Sequence, residues 1–207
     1  LTGMGDKSFI AGADIKSMSQ MNENEASEFS ELGQKMSMKI EKFKIPILAA
    51  INGFALGGGC EIAMACHIRY CSTNAIFGQP EVGLGLIAGW GGTQRLPRLV
   101  GKGRALEILI SSKTISSDEA YNIGLVNKVV PERELISSVE KLAKLIINNA
   151  PIAIEATISS VNNMDKPLLQ KCLTKEKKAF SKLFNTKDTK EGMLAFLEKR
   201  SPDFNGE

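Results

Sequence analysis

The chain has 207 residues, 43% of them hydrophobic and 24% charged, with a formal net charge of +3 at pH 7. That supports one substantial core, while no apolar run reaches the roughly 20 residues a membrane span needs, and so small a charge gives no reason to invoke nucleic acid. Four cysteines, Cys60, Cys66, Cys71 and Cys172, form no C-x-x-C pair and no metal-ligand spacing with the single His67, so they read as reduced thiols of an intracellular protein, with no metal site.

The chain opens as LTGMGDKSFIAGAD, without an initiator methionine, and Leu1–Gly3 reads as the end of a strand. Asn24–Phe43 follows as a helix with Phe29, Leu32, Met36 and Ile40 on one face. Pro46–Ile51 reads as a buried strand leading to Gly57, Gly58 and Gly59, with a helix opening near Gly59. A strand feeding glycines and then a helix points free backbone N–H groups at whatever lies above them. The run has neither a P-loop lysine nor a G-x-G-x-x-G spacing, which makes phosphate cradling the weaker reading. Glu61 falls in the first turn of this helix, where the macrodipole favours its ionised form. Two readings fit it: a base or water-positioning group, or a charge that only caps the helix beside glycines that only allow close packing.

His67 then marks a helix–strand junction, a structural position, before a strand at Ile68–Ser72. In FGQPE, Phe77–Glu81, the proline bars a regular helix, so Glu81 lies on a loop or short irregular turn. Taken alone, such a glutamate reads as a solvated turn residue; beside Glu61 it completes a pair of carboxylates. A helix opens at Gly91, with Thr93 and Gln94 as capping and packing groups, and Gly103–Ile110 is helical. Ser116–Glu119 (SSDE) is a capping-box pattern and Leu125–Val130 a short strand ended by Pro131. Leu135, Val139, Leu142 and Ile146 mark a further helix, Pro151 begins another at its first position, Leu168–Phe184 makes a third, and Asp188 with Glu191 caps the last. Lysines outnumber acids across Asp165–Arg200, which reads mainly as a solvated face.

Five strings, GADIKSM (Gly12–Met18), NGFALGGGCEIAMAC (Asn52–Cys66), FGQPEVGLG (Phe77–Gly85), GWGGTQRLPRLVG (Gly89–Gly101) and EGMLAFLEKRSPDF (Glu191–Phe204), together resemble the enoyl-CoA hydratase (crotonase) family, in the family's order. The resemblance spans essentially the whole chain. Departures are local: Ala88 where proline is usual, His67 where aspartate is usual, and Ser17 where glutamate is frequent. Relative to the family, a segment carrying the first strands and first helix is expected before Leu1.

The resemblance implies an α/β fold, a spiral of ββα units over residues 1–134 followed by a helical trimerisation region over 135–207. It implies reversible addition of water to a short trans-2-enoyl-CoA, crotonyl-CoA being the expected substrate. Glu61 would take the proton of the attacking water and Glu81 deliver one to Cα, with the backbone N–H groups of Ala13 and Gly58 as the oxyanion hole. Substrate-binding positions would be Ala11, Asp14, Ile15, Gly89 and Trp90. Phe196 and Lys199 would meet the CoA adenine end, often across a subunit boundary. Trp90 stays open between an acyl-pocket wall favouring short chains and plain core packing. No cofactor is implied beyond the CoA of the substrate; the expected partners are the acyl-CoA and further copies, as a trimer or dimer of trimers, in the cytoplasm. Alternatives are an enoyl-CoA isomerase or other CoA-thioester lyase, and a non-catalytic acyl-CoA-binding subunit.

Overall fold

The computed structural model describes residues 1–162 and 166–206. Strand β1 (Ser8–Ile10) and the short helix α1 (Ile15–Met18) precede α2 (Glu23–Glu41), which starts at a reciprocal capping box between Asn22 and Glu25. Then β2 (Leu48–Ile51), β3 (Phe54–Leu56) and α3 (Gly58–Ala65) form one ββα unit. A second comprises β4 (Ile68–Ser72), β5 (Ile76–Gly78), a 3₁₀ turn at Glu81–Leu84, α4 (Gly92–Val100) and α5 (Lys102–Ser111). Beyond them come β6 (Thr114–Ser116), α6 (Ser117–Asn122) and β7 (Lys128–Val130).

The two strands of each unit belong to different sheets. One sheet runs β1-β3-β5-β6, parallel except for the β5/β6 pair; the other runs β2-β4-β7, all parallel. Each β–β turn therefore rounds a corner, and Asn52 holds the first: its Oδ1 accepts from Gly3 N–H, and its Nδ2 donates to the Gly3 and Gly5 carbonyls. Thr2 makes a parallel bridge to Ala50, in keeping with the strand-end reading of Leu1–Gly3. Every residue of α3 is buried, and it crosses β1 so closely that a Cβ on Gly59 would fall 1.9 Å from the Ile10 carbonyl oxygen. Phe77, Ile51, Leu96, Ile115 and Leu125 are fully buried around it, each stabilising the fold by about 1.5–3 kcal/mol.

Four helices end the chain: α7 (Leu135–Ile147), α8 (Pro151–Asn162, with Pro151 at its first position), α9 (Lys166–Leu183) and α10 (Lys187–Glu198). Helix α9 packs on α2 and α4. Helix α10 docks on the Glu81–Leu84 turn, where Thr189 Oγ1 donates to Gly85 O and Gly192 leaves no room for a Cβ against Leu84.

Several expectations need correction. The apolar stripe of α2 is only in part its buried face: Phe29 and Ile40 pack against the core, whereas Leu32 and Met36 are 69% and 42% exposed, and Ala26, Ser30, Gly33, Gln34 and Ser37 are buried. Close approach decides this, because Trp90 lies against Gly33 and both Ser30 and Gln34 donate to the Gly89 carbonyl. The last strand covers only Lys128–Val130, since Arg69 takes the Leu125 carbonyl and its backbone N–H is taken by Asn127 Oδ1. Thr186, not Asp188 with Glu191, caps α10; Asp188 instead accepts from the Asn205 and Gly206 amides, and Glu191 pairs with Arg200. Ser116 caps α6 by accepting from Glu119 N–H.

Candidate active site

Gly57, at φ +52°, turns the chain from β3 into α3, with its N–H bonded to the Gly78 carbonyl of β5. Gln79, fully buried, donates from Nε2 to the Gly57 carbonyl at 3.3 Å, so two adjacent strands fix the glycine turn. Gly58 then begins α3, and a first helical residue has no intrahelical acceptor for its N–H. One turn on, Glu61 is 2% exposed and its Oε1 accepts from Trp90 N–H at 2.8 Å and Gly92 N–H at 2.6 Å. Both donors come from the start of α4, not from Glu61's own helix. The α3 macrodipole is opposed here: burial, then the Glu81 and Glu176 charges, push the Glu61 pKa well above the ordinary carboxylate range, while the Gly92 and Trp90 amides pull it down.

Glu81 opens the 3₁₀ turn after Pro80, as the proline predicts. The residue as a whole is half-buried, yet its Oε2 is sealed and has no hydrogen-bond partner, and a Cβ on Gly57 would lie 3.1 Å from its Oε1. Burial, reinforced by Glu176, pushes its pKa up to about 7. Two buried carboxylates beside one glycine turn cannot both ionise cheaply, so the pair holds a proton near neutral pH, and that proton belongs to the pair.

Both glutamates line a cavity of about 630 Å³. Ala11, Ala13, Asp14 and Ile15 form one wall, where Asp14 caps α1 by accepting from the Lys16 and Ser17 amides. Gly58, Gly89 and Trp90 line the cavity as well. The Trp90 indole packs in a slot between Gly33 and Gly58, with the Phe29 ring 5.2 Å away, and also lines the cavity. A Cβ on Gly58 would fall 2.7 Å from Trp90 Cζ3, so the indole edge sits directly over the Gly58 backbone. Phe196 reaches the cavity from α10, whereas Lys199, which ends that helix in a left-handed conformation, is not among the lining residues.

His67 is structural, as its place at the junction suggests: Nδ1 accepts from Ile47 N–H at 2.9 Å and Nε2 lies 3.1 Å from the Glu41 carbonyl. Sequence reasoning missed Glu176 of α9, 4% exposed, which lies near both glutamates and accepts from the Thr93 amide and hydroxyl. Its signal was faint: one acid in a lysine-rich helix, flanked by Leu173 and Phe180 on the buried face. Thr93, expected to cap α4, does not: the N-cap is Gly91, and the Thr93 hydroxyl donates to Glu176 of another helix.

The family model for enoyl-CoA hydratase/isomerase matches residues 1–207. The chain belongs to that family. It is 50% identical over 204 residues to the crotonyl-CoA hydratase of Syntrophomonas wolfei subsp. wolfei, covering 99% of this chain and 78% of that protein. The short-chain-enoyl-CoA hydratase of Clostridium acetobutylicum is also 50% identical, over 97% of this chain and 77% of its own. Among solved structures, the Bacillus anthracis enoyl-CoA hydratase superposes with a TM-score of 0.77 at 42% identity, over 100% of this chain and 80% of that one. The crotonase fold expected from the five motifs is thus the fold of the chain.

Proposed function

We propose that this family member is a short-chain enoyl-CoA hydratase, adding water reversibly across the double bond of a trans-2-enoyl-CoA in fatty-acid metabolism. The observation that carries this reading is the pair of buried carboxylates, Glu61 and Glu81, opening into one cavity beside the Gly58 amide. Negative charge develops on the thioester oxygen as water adds, and the N–H groups of Gly58 and Ala13 receive it; losing one such donor costs about 10²–10³ in rate. The Trp90 and Gly92 amides on Glu61 Oε1 favour charge there, while Glu81 Oε2 has no donor. Burial alone would rank Glu61 as the harder to ionise, but the converging donors are the more specific feature. Glu61 is therefore the base: it takes a proton from water as the oxygen bonds to Cβ, and protonated Glu81 gives its proton to Cα. Atoms balance as one water added, without oxidant or reductant, so no cofactor is assigned beyond the CoA carried by the substrate.

Ala11, Asp14, Ile15 and Gly89 would hold the acyl-thioester part, and Trp90 would limit acyl length. Phe196 would meet the CoA; Lys199 would reach it only outside the cavity proper. Exposed apolar side chains at Ile136, Leu145, Ile147 and Ile152 support self-association, for which a trimer or dimer of trimers is our assignment. No described helix is long and apolar enough to cross a membrane, and the free cysteines fit a reducing compartment, which supports the cytoplasm.

The test is loss of the conjugated enoyl-thioester absorbance with crotonyl-CoA, run with Glu61→Gln and Glu81→Gln. Turnover falling about 10²–10⁴-fold in each variant supports the two-carboxylate hydratase. Little loss in one of them points to an isomerase or another lyase. A folded parent that binds acyl-CoA and turns nothing over refutes the enzyme reading.

A further inference from the structure

Helix α4 begins in an unusual way. Its N-cap, Gly91, sits at φ +108° and has no side chain to cap the helix, so the first N–H groups must find acceptors elsewhere. Successive amides turn to two different carboxylates. Gly92 N–H goes to Glu61 Oε1 at 2.6 Å, and Thr93 N–H goes to Glu176 Oε2 at 3.0 Å. The Thr93 hydroxyl adds a short bond to the same Oε2, and Gln34 Nε2 donates to Oε1 at 3.3 Å. Each of these three donors favours the charged form of the Glu176 carboxylate, against the burial that disfavours it.

We propose that Glu176 is a positioning residue for the acid/base pair: its ionised carboxylate, bound beside the amide that holds Glu61, keeps one proton on Glu61 and Glu81 at neutral pH. Two carboxylates bonded to successive amides of one helix start, both buried, lie inside a screening length of each other and away from bulk water. The groups facing Glu176 are Glu61 on α3, Glu81 on its turn and Arg95 on α4, with Glu41 of α2 paired to Arg95; Lys177, beside it on α9, is paired to Glu31. Burial holds the Glu176 pKa above the ordinary carboxylate value, and the Thr93 bonds and Arg95 oppose that rise without cancelling it. Its negative charge in turn raises both Glu61 and Glu81. The reaction needs one member of the pair charged and the other protonated, so a third charge that raises both moves the pH range of that state upward, toward neutral pH. This rests on the hydratase reading for its role in turnover, but the effect on the pair does not.

The experiment is a carboxyl ¹³C titration of the folded full chain labelled in glutamate, with resonances assigned through Glu61→Gln and Glu81→Gln, comparing the parent with Glu176→Gln. Glu176→Met, which brings no amide hydrogens against the Thr93 and Gln34 donors, takes its place if the Gln variant does not fold. Removing the charge should lower the upper apparent pKa of the pair by about one unit, and Glu176→Asp, which keeps the charge, should leave it within a few tenths. In parallel, the alkaline limb of kcat/KM for crotonyl-CoA should move down by the same amount in the uncharged variant. An unchanged titration in a folded uncharged variant overturns the inference, as does a loss of activity that is uniform across pH. A parent that titrates as described yet hydrates nothing refutes the hydratase reading and leaves the positioning role supported.

Discussion

Glu81→Gln should make the protein more stable while making it inactive, and the pH at which it does so is set by the structure. In the unfolded chain Glu81 loses its proton near its ordinary 4.5; in the folded protein, burial and the Glu176 charge delay that to about 7. Between those values the folded state holds a proton that the unfolded state has released, so stability falls as pH rises and the loss is complete above about pH 7. A separation of some 2.5 units corresponds to about 3 kcal/mol at pH 8, read for the pair because the two carboxylates titrate together. Glutamine carries no charge at any pH, and Glu81 Oε2 has no hydrogen bond to lose. Urea unfolding at pH 5 and pH 8 should therefore give similar midpoints for parent and variant at pH 5. At pH 8 the variant should gain about 2–3 kcal/mol with unchanged m-value, or about 5–10 °C in Tm for a chain of this length. Hydration should fall about 10²–10⁴-fold at both. A variant equally destabilised at pH 5 and pH 8 would show that Glu81 ionises in the fold without cost, and the shared proton would have to be abandoned.

Gly59→Ala should cost at least about 3 kcal/mol or prevent folding, because its Cβ would meet the backbone carbonyl of Ile10, which no side-chain movement relieves; chemical denaturation against the parent checks this. Trp90→Ala should lose about 2–3 kcal/mol from the Gly33, Gly58 and Phe29 contacts. It should also raise the kcat/KM ratio of octenoyl-CoA to crotonyl-CoA by about 10–200-fold, and an unchanged ratio would leave Trp90 as packing only. Phe196→Ala, at the exposed edge of the cavity, should raise KM several-fold with kcat nearly unchanged; an equal fall in kcat would place Phe196 nearer the reacting atoms than its position on α10 allows.

Local chemistry placed the two carboxylates, with glycines before Glu61 that free backbone amides and a proline before Glu81 that prevents a helix, but it left their role open, and the family resemblance of the five motifs is what paired them. The ββα alternation was legible from the same punctuation. Where the reading failed, close approach outweighed polarity. Helix α2 buries Ser30, Gly33 and Gln34 because a tryptophan and a loop carbonyl meet it there, and no hydrophobic pattern reports a serine bonded to the carbonyl of Gly89. The burial that opposes the helix dipole at Glu61 was illegible for a related reason. A helix dipole is visible in a sequence, whereas full burial beside two other acids is a property of the assembled site. Glu176 was hidden because its partners lie far away along the chain, at Thr93 and Gln34.

These long-range contacts tie the C-terminal helices to the two carboxylates proposed to react, which sit in the first half of the chain. Helix α9 supplies Glu176 to the start of α4, next to the amide that holds Glu61. Helix α10 bonds Gly85 and packs Gly192 on Leu84, fixing the turn that carries Glu81. Each carboxylate of the pair is thus braced by a different C-terminal helix. A glycine cap would leave α4 frayed on its own, and the bonds that prevent fraying are the same ones that position Glu61 and its charged neighbour. Loosening either helix should therefore disturb the relative placement of the two carboxylates, on which proton transfer depends, before it disturbs the buried core around α3.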